Sequence, residues 1–160
     1  MIERDRDIVV VGAGPVGLTA ALAVRATGRD VTVVEAGAAD RVRPGSRAIF
    51  LHEVTLQLLD RIRTGLGHEL VRYGLTWSTK RTLYRGREVY RRTYPPPDAG
   101  MLPFATNLAQ VVTERVLLQA CTDAAVEFVW TADVVTVKAD ARGVTLDAAD
   151  GQQVRARYVI

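Results

Sequence analysis

Three glycines and one acid carry the clearest chemistry in this chain. Gly12, Gly14 and Gly17 stand as G-x-G-x-x-G, and Glu35 follows 18 residues after the last of them. Gly12 can take backbone angles that other residues resist, so the chain can turn sharply there. Gly14 has no Cβ, which lets a pyrophosphate lie against the backbone. Gly17 lets a following helix pack close to the preceding strand. Pro15 suits a first helical turn, where its missing N–H has no helical partner. With Val16 it opens a helix whose unpaired N–H groups and positive dipole end form an anion site. Glu35 can accept hydrogen bonds from both hydroxyls of an adenosine ribose, and its charge would repel a 2′-phosphate, which argues against NADP at this place. Together these residues predict an adenine-dinucleotide site.

The motif gains force from the elements around it. Ile8-Val9-Val10-Val11 predicts a strand, the run after Pro15 a helix to Thr27, Gly28 its stop, and Val31–Val34 a second strand that ends at Glu35. This is one compact β-α-β unit. A polar loop, 36–45, comes next. A helix is expected from about His52 to Arg63, with Val54, Leu58, Leu59 and Ile62 on a buried face and Gly65 and Gly67 ending it. Residues 69–74 add one helical turn. Thr76–Tyr84 and Glu88–Tyr94 flank Arg85-Gly86-Arg87 as a hairpin, followed by Pro95-Pro96-Pro97 as a stiff exit. A helix from Leu108 to Ala124 spaces Val112, Val116 and Ala120 by four, with Cys121 beside them. Val126–Trp130 predicts a strand, then Val134–Ala139, Gly143–Asp147 and Gln153–Arg157 a meander, and Tyr158–Ile160 a last apolar strand. The fold class is α/β, Rossmann-like. An uncovered strand at position 160 would invite association, so the sequence is expected to be the N-terminal part of a longer protein, inactive and at most weakly cofactor-binding by itself.

Composition narrows the function classes. With 48% hydrophobic and 24% charged residues, the chain has the balance of a soluble globular protein. A net charge of +3 is too small to argue for nucleic-acid binding. The single cysteine, Cys121, excludes an internal disulfide and any cysteine-based metal cluster, and predicts a reduced, half-buried structural thiol. There is no signal-peptide core and no run of about 18 apolar residues. A cytoplasmic protein without a membrane partner is the expectation; oligomeric state has no signature.

The β-α-β start, the segment Pro44-Gly45-Ser46-Arg47-Ala48-Ile49-Phe50-Leu51-His52, the stretch Arg81–Val89 and the helix entry Asn107-Leu108-Ala109-Gln110 make the chain resemble the FAD-dependent aromatic hydroxylases. These are single-component flavoprotein monooxygenases of the para-hydroxybenzoate hydroxylase type. The resemblance implies a glutathione-reductase-like FAD-binding domain with a β-meander and the start of an inserted β-rich substrate domain. The pieces would be 1–75 (FAD domain, first part), 76–105 (substrate domain, first piece) and 106–160 (FAD domain, continued). It implies that Gly12, Gly14, Pro15, Val16 and Gly17 carry the pyrophosphate and Glu35 the ribose. Arg47 would reach the FAD near its phosphates and flavin, and Gln110 would hydrogen-bond the middle of the cofactor. The implied reaction is reduction of FAD by NADPH or NADH, then O₂ addition to a C4a-hydroperoxyflavin that hydroxylates a phenolic, phenylpropionate or polyketide ring. No catalytic acid, base, nucleophile or metal ligand is expected from these residues.

Other residues have plainer readings. Arg41 and Arg43 are expected as solvated loop arginines, and His52 and His68 as surface or helix-end residues. Lys80, Arg81, Arg85, Arg87, Arg91 and Arg92 interleave with Trp77, Tyr84, Tyr90 and Tyr94; the expectation is a solvated charged face opposite a packed aromatic one. An NAD-dependent dehydrogenase is the competing enzyme class, but it would continue in further β-α units with a catalytic Lys, His or Tyr. A non-catalytic flavin-binding module is the other alternative.

Overall fold

A computed structural model describes residues 3–41 and 50–160. The chain forms two compact units, one from 1–45 and 113–160, the other from 46–112.

The first unit is built on a six-stranded sheet. In chain order its elements are β1 (Glu3–Val11), α1 (Pro15–Ala26), β2 (Val31–Val34), then, after the other unit, most of α4 (Gln110–Asp123), β7 (Glu127–Val129), β8 (Val134–Asp140), β9 (Gly143–Ala148) and β10 (Gln153–Val159). The strand order is β7-β2-β1-β10-β9-β8. β7, β2, β1 and β10 run parallel, and β9 and β8 complete the sheet as an antiparallel meander. This is the α/β, Rossmann-like architecture expected from the β-α-β start.

β1 begins earlier than the apolar run Ile8–Val11 suggests. Its charged half pairs with β10, Glu3 opposite Val154 and Arg6 opposite Ala156. The charges find partners: Arg6 hydrogen-bonds Thr32 at 2.6 Å and pairs with Glu127, and Arg29 reaches Asp7 at 2.9 Å. A polar stretch can therefore extend a strand when its side chains are met across the sheet edge.

Gln153–Val159 is one strand, not two. Its first half is hydrogen-bonded to β1 on one side and to β9 on the other, Gln153 to Ala156, whereas Tyr158 and Val159 pair with β1 alone, and Tyr158 and Ile160 remain exposed. Val9, Val34, Leu146, Ala148 and Ala156 form a buried cluster with Ala132. α1 covers the sheet with Leu18, Ala21 and Leu22. α4 buries Val116, Leu117, Ala120 and Cys121, and the Cys121 thiol meets the Leu18 carbonyl at 3.4 Å. Cys121 is thus fully buried rather than half-buried, and burial pushes its thiol pKa up to about 12.

The second unit holds β3 (Phe50–His52), α2 (Glu53–Ile62), α3 (Leu66–Tyr73), β4 (Thr79–Tyr84), β5 (Arg87–Thr93) and β6 (Ala105–Asn107). The short β3 and β6 pair antiparallel, Leu51 opposite Thr106. α2 buries Leu56 and Leu59, whereas Val54 and Leu58, expected inside, are exposed. The reason is α3: it is a full eight-residue helix, not one turn, and it sets which face of α2 is covered. Gly65, left-handed at φ +87°, starts α3. Gly67 lies within α3, where an added Cβ would meet the Leu56 carbonyl oxygen at 2.4 Å, so glycine lets the two helices touch.

β4 and β5 form the expected hairpin, Thr79 opposite Thr93 through Tyr84 opposite Arg87, with a bulge after Thr82. Its faces are not divided as expected. Tyr84, Leu83, Val89 and Tyr90 are exposed, and Arg81 and Arg91 bracket Glu88 at 3.6 and 3.5 Å. The aromatic packing sits at the hairpin's base, where Tyr94 stacks on Phe104 at 3.8 Å and Trp77 meets Phe104 edge-on at 4.8 Å. A two-stranded ribbon has no second layer of its own, so alternation alone cannot bury one face.

Candidate dinucleotide site

The turn from β1 into α1 has the geometry its glycines require. Gly12 takes φ +100° and donates its N–H to the Val34 carbonyl at 2.7 Å, which locks the turn to β2. A Cβ on Gly17 would stand 1.9 Å from the Gly12 carbonyl oxygen. Only glycine lets the first turn of α1 lie this close to the strand end. Gly14 caps α1 at φ −81° and ψ 180°, a conformation open to any residue, and no side chain caps the helix. Pro15 is the first helical residue and no acid occupies the first turn. The amide groups and dipole there meet no protein anion from that turn. Val16 is 83% exposed beside them.

Glu35 follows the last residue of β2 and is only 5% exposed. Its Oε2 accepts from the Ala13 N–H at 2.6 Å, and Oε1 accepts from the Gly37 N–H at 3.0 Å. The carboxylate is held on two sides by backbone, one side being the glycine turn itself. The loop after β2 is also tied to the loop after β7. Glu35 N–H donates to the Val129 carbonyl at 2.9 Å, the Ala132 N–H to the Glu35 carbonyl at 3.0 Å, and the Thr131 N–H to the Gly37 carbonyl at 3.1 Å. Thr131 adopts φ +60°, a left-handed conformation that costs a β-branched residue.

Arg41 departs from its expected place in solvent. Its side chain is 17% exposed, one terminal nitrogen donates to the Ala13 carbonyl at 2.9 Å, and its Nε lies 3.4 Å from Glu35 Oε1. That Nε makes an ion pair without a hydrogen bond. The guanidinium lies over the Trp130 ring at 5.2 Å, and Trp130 in turn stacks on Phe128. Arg41, Gly37 and Trp130 thus join the glycine turn and Glu35. The available signals were faint: a second glycine two residues past the acid, and an aromatic residue at the end of a parallel strand.

Gln110 is the first residue of α4, partly exposed, and belongs to the unit 46–112. Arg47 and Arg43 lie outside the described residues. His52 precedes α2 and packs edge-on against Phe50 at 4.4 Å; it and His68 are exposed. No group of His, Cys, Asp or Glu among the described residues could hold a metal ion. No helix among them is long and apolar enough to cross a membrane.

A parallel sheet with a glycine turn, an uncapped helix N-terminus and a buried acid at the next strand end defines a Rossmann-like domain of the glutathione-reductase type, built for an adenine dinucleotide. The sequence matches the family described as FAD binding domain over residues 5–160, and the chain belongs to it. The nucleotide is therefore FAD. The chain is 30% identical over 154 residues to the rifampicin monooxygenase of Streptomyces venezuelae, covering 96% of this chain and 31% of that protein. Its fold matches p-nitrophenol 4-monooxygenase PnpA from Pseudomonas putida DLL-E4 with a TM-score of 0.85 and 26% identity, over 99% of this chain and 40% of that one. The flavin-dependent monooxygenase PieE, solved with FAD and substrate, shares the fold at a TM-score of 0.79 and 24% identity, over 99% of this chain and 30% of that one. The chain spans about a third of the length of these monooxygenases.

Proposed function

We propose that this chain is the FAD-holding part of an NAD(P)H- and O₂-dependent monooxygenase that hydroxylates an aromatic ring. The observation that carries the reading is the glycine turn locked to a buried Glu35, in a chain whose relatives by sequence and fold include monooxygenases. One of these acts on p-nitrophenol, a phenol, which favours phenolic or related aromatic substrates for this protein too.

Gly12, Gly14, Pro15, Val16 and Gly17 hold the FAD pyrophosphate against the amide groups of the α1 N-terminus. Glu35 takes the hydroxyls of the adenosine ribose. Arg47 contacts the cofactor near its phosphates and flavin, and Gln110 contacts its middle. Residues 1–75 and 106–160 serve the FAD domain, and residues 76–105 begin the substrate domain. When bound, FAD supplies hydride acceptance from NADPH or NADH and activation of O₂. The residues of this chain bind and orient the cofactor, and none of them is required to move a proton. The partners are small molecules, in the cytoplasm, rather than nucleic acid or membrane.

The test begins with the absorbance spectrum of the full-length protein as isolated, followed by NADPH and NADH oxidation with a panel of phenols. A bound flavin spectrum and phenol-stimulated oxidation yielding a hydroxylated product are the expected results. Flavin without stimulation by any aromatic would remove the hydroxylase reading. Bound NAD in place of flavin would overturn the whole assignment.

A further inference from the structure

Arg41 is built into the site rather than lying beside it. Its terminal nitrogen grips the Ala13 carbonyl at 2.9 Å, on the same residue whose N–H grips Glu35 at 2.6 Å. Its Nε faces Glu35 Oε1 at 3.4 Å, and its plane rests over Trp130. Space is made for it: a Cβ on Gly37 would meet the Arg41 Cδ at 2.3 Å and Glu35 Oε1 at 3.2 Å. The site also tolerates two local costs to keep this arrangement, a buried Nε–H without a hydrogen bond and Thr131 in the left-handed region. A buried carboxylate needs a paired cation and fixed donors to stay ionised in one orientation. On the reading that this site holds FAD, we propose that Arg41 is the positioning residue that presents the Glu35 carboxylate to the adenosine ribose, with Trp130 as its backing and Gly37 as the space that admits it.

The consequence is confined to the adenosine end of the ligand. FAD and ADP carry that end; FMN does not. Arg41→Ala should weaken FAD and ADP by the same factor, about tenfold or more for a charge-assisted contact, and leave FMN affinity unchanged. Arg41→Lys keeps the charge but loses the planar fork and the stack, and should recover only part of the loss. Gly37→Ala displaces Arg41 without removing any charge, and should reproduce the Arg41→Ala pattern in a protein that retains the guanidinium. Titration of the three ligands into the cofactor-stripped full-length protein, by flavin fluorescence and calorimetry, reads all of this without turnover.

Wild type binding FAD and ADP, with both weakened and FMN spared in Arg41→Ala and Gly37→Ala, supports the assignment. Unchanged ADP affinity in the variants sinks it while leaving the FAD reading intact. Equal loss of all three ligands sinks it as well, because Arg41 would then merely support the fold. If Arg41→Ala fails to fold, Gly37→Ala and Trp130→Leu decide by the same ratio. Wild type that binds neither FAD nor ADP overturns the FAD reading itself.

Discussion

Gly14 and Gly17 stand three residues apart in one turn, and the turn asks different things of them. Gly17 faces the protein: its Cβ would strike the Gly12 carbonyl at 1.9 Å. Gly17→Val should therefore cost about 3 kcal/mol or more of stability, seen as a lower denaturant midpoint with or without cofactor. Gly14 has ordinary backbone angles, φ −81° and ψ 180°. Gly14→Val should leave the cofactor-free protein folded by circular dichroism and abolish FAD binding, because the added side chain takes the phosphate's place. Unchanged FAD affinity in that variant would remove the pyrophosphate role from the turn. Cys121 gives a third expectation at this scale. With its pKa pushed up to about 12 by burial, the thiol stays neutral at physiological pH. It should resist alkylation in the native protein at neutral pH and react on unfolding, as intact mass would report. Glu35 was legible in the sequence because its distance from Gly17 is a property of a short local unit. Arg41 was not, because the ring it lies over, Trp130, follows β7, far away in the sequence.

The meander shows how an element is held at its turns. Asp140 accepts from the Arg142 N–H at 2.7 Å and from Arg155 at 3.1 Å. These bonds, the backbone one foremost, hold its carboxyl below the ordinary value of about 3.9. Asp147 is lowered likewise, first by Lys138 and then by Gln153. A carboxylate lowered on folding stabilises the fold fully above its unfolded value and loses that contribution as pH falls through the folded one. Asp140→Asn should thus lower the melting temperature near neutral pH, with the difference shrinking as the pH is taken below about 4; a difference that stays constant would show that charge is not the cause. Gly143 opens β9 at φ +145°, and its Cβ would meet the Ala156 carbonyl at 2.4 Å. Gly143→Ala should cost about 1–3 kcal/mol in chemical denaturation. Strands with strong β-formers and glycine turns, such as β8 and β9, could be read directly. β3 and β6 could not, being three residues each and fixed by pairing across some fifty residues of chain. The buried face of α2 was misread for a related reason: a helix with Leu and Val on several sides has its inner face chosen by its neighbour, here α3.

At the scale of the whole molecule, the glycine turn and Glu35 both belong to the unit 1–45 and 113–160. A ligand that binds only the folded state stabilises by mass action, about 2.7 kcal/mol at a hundred times its dissociation constant. FAD at that excess should raise the melting temperature of the wild type and leave that of Gly14→Val unmoved. The fold class was legible because one β-α-β unit has few ways to continue. The strand order was not, since no local pattern says that β10 enters between β1 and β9.

That placement has a consequence for synthesis. The glycine turn leaves the ribosome well over a hundred residues before β10, and until then one flank of β1 stays open. During that interval the nascent chain carries an apolar strand with unmet amide and carbonyl groups, a template for wrong partners. The glycine turn is thus made well before the sheet around it can close, and chaperone demand on this sheet should fall only when β10 slots home.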